Sequence, residues 1–204
     1  MMIIQFPGQG SQSVGMGTAL ASEFQVAKDV LREVDEALGQ NLSQLMAEGP
    51  IEVLTLTENA QPAIMAASIA ILRVMENEFG FDISKAKYVA GHSLGEYTAL
   101  TATKAFSLSD AAKLLKLRGQ AMQRAVKAGE GAMASLIGPK VDFALAQAAA
   151  DGGAKFGICT VANDNNAGNV VISGEKHAVD KAIEAAKAMG ARAIPLAVSA
   201  PFHC

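Results

Sequence analysis

The stretch from Lys87 to Leu100 constrains the fold of this chain more than any other. It begins with a short apolar run of strand type, passes through Gly91-His-Ser-Leu-Gly95 and continues as an Ala-rich segment typical of a helix. The pattern predicts a strand, a sharp turn and a helix, with Ser93 projecting from the turn as a nucleophile. The backbone N–H of Leu94, at the start of the helix, would stabilise a developing oxyanion. The alternative is a glycine-rich turn without chemistry, but the strand-then-helix context favours the nucleophile.

Composition excludes several classes of protein. The chain has 204 residues, half of them hydrophobic, which is enough to bury a core. A net charge of −3 without a long basic run argues against nucleic-acid binding. The longest apolar stretch, Ala63–Leu72, is shorter than the roughly 18 residues of a membrane span, and no signal-peptide pattern is present, so we expect a cytoplasmic protein without membrane contact. Cys159 and Cys204 form neither a disulfide framework nor a metal motif, and we expect no metal and no cofactor.

A second glycine loop follows the first predicted strand, Met2–Phe6. Its spacing, Gly8-x-Gly10-x-x-Ser13, lacks the third glycine of a dinucleotide-binding motif. We expect this loop to bring a second backbone N–H, that of Gln9, beside the Ser93 turn. The alternative is a plain tight turn.

Arg118 is the second informative residue. It lies in a predicted helix that extends from Ser107 to about Val126, near the centre of an apolar stripe that includes Leu114, Leu115, Ala121 and Ala125. A buried guanidinium requires an anionic partner, which is either an internal carboxylate or an anionic group of a substrate. We place Lys113, Lys116, Arg124 and Lys127 together on the opposite, solvated side of the helix.

The second half of the chain has a different pattern. From Gly131 the elements follow the order β-α-β-β-α-β, typical of a ferredoxin-like unit. We therefore predict a large α/β subdomain over residues 1–128, an inserted small subdomain over 129–198 and a return to the large subdomain at 199–204. The segment Asn163–Gly168 is predicted as the turn between the two middle strands, and its amides are either turn-forming or in contact with a substrate.

Three histidines are candidates for a base that activates Ser93. His92 is adjacent in sequence, so its side chain diverges from that of Ser93, and we expect it to pack in the core or to support the site. His177 is expected on the surface of a helix. His203 follows a predicted strand and a proline, as a residue at the end of a strand in a site would, and the alternative is a frayed terminus.

Four motifs together resemble a known family. They are Phe6-Pro-Gly-Gln-Gly-Ser-Gln12, Gly91-His-Ser-Leu-Gly-Glu-Tyr97, Leu117-Arg-Gly-Gln-Ala-Met-Gln123 and Pro201-Phe-His203. In this order they resemble the malonyl-CoA:acyl carrier protein transacylases of fatty acid synthesis and, more distantly, the acyltransferase domains of polyketide and fatty acid synthases. The resemblance covers the whole chain.

The resemblance implies a role for each motif. Ser93 would be the nucleophile, His203 its base, and the amides of Gln9 and Leu94 the oxyanion hole, with Arg118 binding the malonyl carboxylate. The remaining expected substrate-binding residues are Met122, Phe202, His92 and Asn163, and Phe202 resembles the residue of malonyl-selective members. The implied fold is an α/β-hydrolase-like large subdomain that carries the ferredoxin-like insertion.

The implied activity is transfer of a malonyl group from malonyl-CoA to the phosphopantetheine thiol of acyl carrier protein, through a malonyl-serine intermediate. Members of the family continue beyond the position of Cys204, so we expect the large subdomain to be incomplete at the C-terminus of this chain. The alternatives are a serine hydrolase or thioesterase of the G-x-S-x-G type and an inactive fragment that binds carrier protein.

Overall fold

The computed structural model describes residues 1–127, 129–196, 198 and 200–204. It divides into two compact units, Met1–Ala121 and Met122–Cys204, with the boundary inside one helix. Each unit combines helices with strands, and the predicted α/β class is confirmed. Two of the predicted domain bounds, at residues 128 and 199, lie outside the described residues. The three-segment domain division stays a prediction.

The first unit contains a two-stranded sheet and most of the helices. Its strands are β1 (Ile3–Phe6) and β2 (Tyr88–Gly91). Its helices are α1 (Thr18–Glu23), α2 (Gln25–Leu38), α3 (Leu42–Glu48), α4 (Ile51–Leu54), α5 (Thr57–Phe79), α6 (Gly95–Ala102) and α7 (Leu108–Arg124). None of the described helices is long and apolar enough to cross a membrane.

Helix α5 forms the centre of the first unit's core. Every residue from Asn59 to Ala67 is buried, and Ile64, Met65 and Ile69 are almost completely inaccessible. Burial of this first half is expected, because it is apolar nearly all round. Its second half exposes one apolar stripe with a spacing of four residues, formed by Ile71, Met75 and Phe79.

The two strands of the first unit run parallel. Among the described residues they pair only with each other, and Ile3 lies opposite Tyr88 in the register. Both of these side chains are more than half exposed, so one face of this small sheet is accessible and apolar. Because β1 and β2 are parallel, the loops that follow them emerge at the same edge of the sheet.

The buried face of α7 differs from the predicted one. The buried residues are Leu108, Ala111, Ala112, Leu115 and Gly119, whereas Leu114 is 40% exposed and Ala121 and Ala125 are exposed. The prediction misplaced the stripe by about one position, because alanines contribute little to a pattern and occur on both faces. Arg118 consequently lies at the border of the buried face and not at its centre.

The second unit is an antiparallel sheet with two helices. In chain order its elements are β3 (Gly131–Ile137), α8 (Phe143–Gly153), β4 (Cys159–Asn166), β5 (Asn169–Glu175), α9 (Lys176–Ala188) and β6 (Arg192–Pro195). The predicted order β-α-β-β-α-β is confirmed, and the strands lie in the order β4-β5-β3-β6. A separate core, which includes Leu136, Ile172 and Ala182, forms between this sheet and the two helices.

The predicted turn at Asn163–Gly168 does lie between the two middle strands, but its predicted extent is wrong. Residues 163–166 belong to β4, where Asn163 pairs with Val171 of β5, and the turn is confined to Ala167 and Gly168. The register shifts between Val161 and Asn163, which is a bulge. Pairing with β5 has overridden the local turn preference of asparagine and aspartate, and the bulge accommodates these residues.

Candidate active site

The turn between β2 and α6 depends on contacts that only glycine allows. A Cβ atom on Gly91 would lie 1.9 Å from the carbonyl carbon of Gly95, and one on Gly95 would lie 2.5 Å from the carbonyl oxygen of Phe6. Strand, turn and helix are therefore in backbone contact, as the sequence predicts. Ser93 between them has a φ of 54°, a left-handed conformation that is uncommon outside glycine and is typical of a strained functional turn.

The loop after β1 lies beside this turn. The His92 amide donates to the carbonyl oxygen of Phe6 at 3.1 Å, and a Cβ atom on Gly8 would lie 2.4 Å from Nδ1 of His92. The prediction that this loop accompanies the Ser93 turn is confirmed. His92 is exposed, so core packing was the wrong expectation, and its ring lies against the backbone of Gly8.

The two amides expected to form an oxyanion hole are those of Gln9 and Leu94. Neither donates a backbone hydrogen bond among the described residues. Leu94 is completely buried and immediately precedes α6, where the positive end of the helix dipole lies. The Gln9 side chain is held in place, since its Nε2 donates to the Thr57 hydroxyl at 3.3 Å.

Arg118 makes direct contact with the candidate nucleophile. Its Nη2 donates to Oγ of Ser93 at 3.0 Å, and its Nη1 donates to Oε1 of Gln61 at 2.7 Å. The guanidinium also lies over the ring of Tyr97, 5.8 Å from its centroid. Burial lowers the pKa of the Arg118 guanidinium from its ordinary value, while the charges of Tyr97 and Glu96 oppose this shift. The group stays protonated, because arginine does not lose its proton in proteins.

An internal carboxylate partner for Arg118 was one of the two alternatives from the sequence. None of the ion pairs among the described residues includes Arg118. Both side chains that it contacts by hydrogen bonds are neutral. The site therefore contains a half-buried cation next to a serine hydroxyl, and within the described part of the chain no carboxylate forms an ion pair with it.

Lys116 was expected on a solvated face, and this expectation is wrong. Its Nζ lies 3.4 Å from a carboxylate oxygen of Glu58 and donates to the side chains of Gln40 and Asn59 at 2.7 and 3.0 Å. The first turn of α5 covers this side of α7, which a helical wheel of one helix alone does not show.

Sequence reasoning missed two residues of the site, Gln61 and Tyr97. Gln61 is completely buried in the apolar helix α5. An amide next to the apolar run of this helix was a usable signal, because a buried polar side chain requires a partner. Tyr97 follows the turn in the first turn of α6, and no pattern in the sequence indicates that its ring lies under Arg118.

The other predicted site residues belong to the second unit. Met122 and Phe202 are partly buried, Asn163 is partly buried in β4, and His203 is exposed with a φ of 59°. The segment that ends in His203 is anchored in its own unit, since Pro201 packs directly against Gly131 of β3. In the described part of the chain, no group of three or more His, Cys, Asp or Glu side chains is placed to hold a metal ion.

Fold and site together define an α/β protein that presents a serine on a strand-to-helix turn beside an arginine. The sequence profile of the family described as acyl transferase domain matches residues 5–204. The chain therefore belongs to the acyl transferase domain family.

Similar proteins carry a more specific name. The malonyl CoA-acyl carrier protein transacylase of Escherichia coli strain K12 is 43% identical over 200 residues, which are 98% of this chain and 63% of the relative. The crystal structure of the acyl-carrier-protein-S-malonyltransferase from Bartonella henselae matches with a TM-score of 0.94 and 53% identity, over 100% of this chain and 65% of that one. A malonyl-transacylase solved in complex with its type II polyketide synthase acyl-carrier protein matches with a TM-score of 0.93 and 45% identity, over 99% and 64% of the two chains. The chain thus spans somewhat less than two thirds of these relatives.

Proposed function

We propose that the protein transfers a malonyl group from malonyl-CoA to the phosphopantetheine thiol of acyl carrier protein. The observation that carries this proposal is the contact between Arg118 and Ser93. A cation with neutral partners, one hydrogen bond from the nucleophile, suits an acyl group that ends in a carboxylate. The names of the similar proteins support the same substrates.

The proposed reaction has two half-reactions. His203 removes the proton of Ser93, and the alkoxide attacks the thioester carbonyl of malonyl-CoA. The amides of Gln9 and Leu94 stabilise the tetrahedral oxyanion, and the coenzyme A thiolate leaves with a proton from the histidine. The pantetheine thiol of the carrier protein then attacks the malonyl ester in the same way, and Ser93 regains its proton.

Substrate binding is assigned to five residues in this proposal. Arg118 binds the malonyl carboxylate, and Met122, Phe202, His92 and Asn163 line the acyl and pantetheine path. The structure gives Arg118 direct support through its contact with Ser93, whereas the other four stay predictions. A cytoplasmic location also stays a prediction.

We further propose the predicted subdomain architecture. The second unit would be a ferredoxin-like subdomain, corresponding to residues 129–198, inserted into an α/β-hydrolase-like subdomain made of residues 1–128 and 199–204. The strand order β4-β5-β3-β6, with antiparallel pairing and a helix after the first and third strands, supports the ferredoxin-like description. The strand, turn and helix around Ser93 support the hydrolase-like description.

The hydrolase alternative uses the same turn but gives the acyl group to water. Arg118 argues against it, because an esterase of neutral substrates gains nothing from a half-buried cation at the nucleophile. The fragment alternative differs in its outcome, since an inactive chain would bind carrier protein without forming an acyl-serine.

The decisive experiment is intact-mass analysis of the chain after incubation with malonyl-CoA. We expect the addition of one malonyl group, located on Ser93 by peptide mapping, and its release to added carrier protein and not to water. An adduct on a different residue would contradict the proposed nucleophile. Release to water at an equal rate would favour the hydrolase, and the absence of any adduct would favour the inactive fragment.

A further inference from the structure

Gln61 is a fully buried polar side chain at the edge of the candidate site. It has no exposed surface, and its Oε1 accepts a hydrogen bond from Nη1 of Arg118 at 2.7 Å. The other terminal nitrogen of the guanidinium, Nη2, is the one that contacts Ser93. Gln61 therefore binds one terminal nitrogen of a planar group whose second terminal nitrogen contacts the nucleophile.

The backbones of α5 and α7 determine that Gln61 and Arg118 meet. A Cβ atom on Gly119 would lie 2.5 Å from Cα of Glu58 and 2.7 Å from the carbonyl oxygen of Thr57, so the two helices touch at this glycine. Gln61 lies three and four residues after these contact residues and thus on the same face of α5. Because Arg118 is adjacent to Gly119, this helix contact places its side chain within hydrogen-bonding distance of Gln61.

The carboxylate of Glu58 lies in this contact region, and it binds partners other than Arg118. Its Oε2 forms an ion pair with Nζ of Lys116 at 3.4 Å and accepts a hydrogen bond from Nε2 of Gln120 at 3.0 Å. Two cations of α7, two residues apart, thus have different partners. Lys116 contacts a carboxylate, whereas Arg118 contacts an amide, which has nearly the same shape as a carboxylate but carries no charge.

We infer that Gln61 is the positioning residue that determines acyl specificity: its neutral amide orients the Arg118 guanidinium and leaves the positive charge for the substrate. A glutamate at this position would form an internal ion pair and compete with a malonyl carboxylate. An apolar side chain would leave the charge in place but would no longer fix the plane of the guanidinium. The inference rests on the proposed function.

The test compares the affinities of malonyl-CoA and acetyl-CoA by isothermal titration calorimetry, in a Ser93→Ala background that prevents turnover. We expect Gln61→Glu to weaken malonyl-CoA binding about a hundredfold, since a like charge then faces the substrate carboxylate, and to leave acetyl-CoA binding unchanged. Gln61→Met should weaken malonyl-CoA binding only about tenfold, because it loses a hydrogen bond but adds no charge.

Gln40→Glu is the matched control. The Oε1 of Gln40 lies 2.7 Å from Nζ of Lys116, so this variant gives a carboxylate to the other cation of α7 at the same distance. It should retain the full malonyl preference. The inference is overturned if Gln61→Glu retains that preference, or if both Gln61 variants lose affinity for the two thioesters alike. If the Ser93→Ala protein itself shows no preference for malonyl-CoA, the proposed function fails and not the role of Gln61.

Discussion

Arg118 is the residue on which substrate selection depends in the proposed function. Arg118→Ala should decrease kcat/KM for malonyl-CoA about a hundredfold, because a charge-assisted pair worth roughly 3 kcal/mol is lost. Acetyl-CoA should be accepted equally well or better, because the desolvated cation is gone. Arg118→Lys should recover only part of the malonyl activity, since an ammonium lacks the fork geometry. The measurement is kcat/KM for both thioesters, and equal losses on both would assign Arg118 a purely structural role.

Ser93 is the proposed nucleophile and also adopts a left-handed backbone conformation, and two substitutions separate these roles. Ser93→Ala should abolish malonyl-enzyme formation with little change in stability, since it removes one partly exposed hydroxyl. Ser93→Gly should be equally inactive but more stable by about 1 kcal/mol, because glycine adopts the φ of 54° without strain. Intact mass and thermal unfolding measure the two effects. An alanine variant that is malonylated at the original rate would disprove the nucleophile assignment.

At the residue scale, sequence reasoning found the residues whose local pattern is distinctive. Ser93 stands out through its flanking glycines, and Arg118 as a charge within a predicted apolar stripe. Gln61 and Tyr97 were not found, because their importance comes from which side chain of another element they meet. Such contacts depend on helix packing, which no periodicity of a single segment contains.

Gly119 is the contact point between two helices, and this gives a prediction at the element scale. Gly119→Ala should destabilise the protein by about 1–3 kcal/mol, because the new methyl group would overlap the backbone of Glu58 and separate α7 from α5. The same shift should move Arg118 away from Gln61 and decrease malonyl labelling more than acetyl labelling. Urea unfolding and labelling rates are the measurements.

Gly152→Ala is the control for the Gly119→Ala variant. Gly152 also lies inside a helix, but a methyl group there would just touch Cβ of Ala185 at 3.4 Å. Alanine should stabilise this position by up to about 1 kcal/mol through its higher helix propensity. If Gly119→Ala were also stabilising, the backbone contact between α5 and α7 would not limit their separation.

Most elements could be predicted because each carries its own pattern. The order of strands and helices in the second unit follows from alternating and helical periodicities, together with glycine breaks. The predictions are wrong where contacts with a neighbouring element determine a residue's conformation or partners. Asn163 is extended because β5 pairs with it, and Lys116 is partnered because α5 lies beside it. Neither result can be read from a single segment.

At the scale of the whole molecule, the first unit presents accessible apolar surface. Ile3 and Tyr88, which are cross-strand partners, are 55% and 57% exposed on the small parallel sheet. An accessible apolar sheet face of this kind promotes association. We expect the double variant Ile3→Thr, Tyr88→Thr to shift sedimentation toward smaller species at high concentration, since threonine preserves strand propensity.

Ile158→Thr provides the control for that experiment. Ile158 is 62% exposed in the second unit, where it precedes β4. Replacing this single side chain should change sedimentation little, because one exposed apolar residue is ordinary on protein surfaces. If it decreases association as strongly as the double variant, the small sheet has no special part in it.

The backbone contacts of the Ser93 turn also determine how the chain tolerates random change. In a library that covers every position, selection for folding alone would retain glycine at 91 and 95, where any side chain meets backbone atoms. At 93 it would enrich glycine, asparagine and aspartate, which adopt positive φ most readily. Only selection for acyl transfer would restore serine there. The residues retained by the two selections would therefore agree at 91 and 95 and differ at 93. This comparison separates the residues that shape the turn from the residue that reacts.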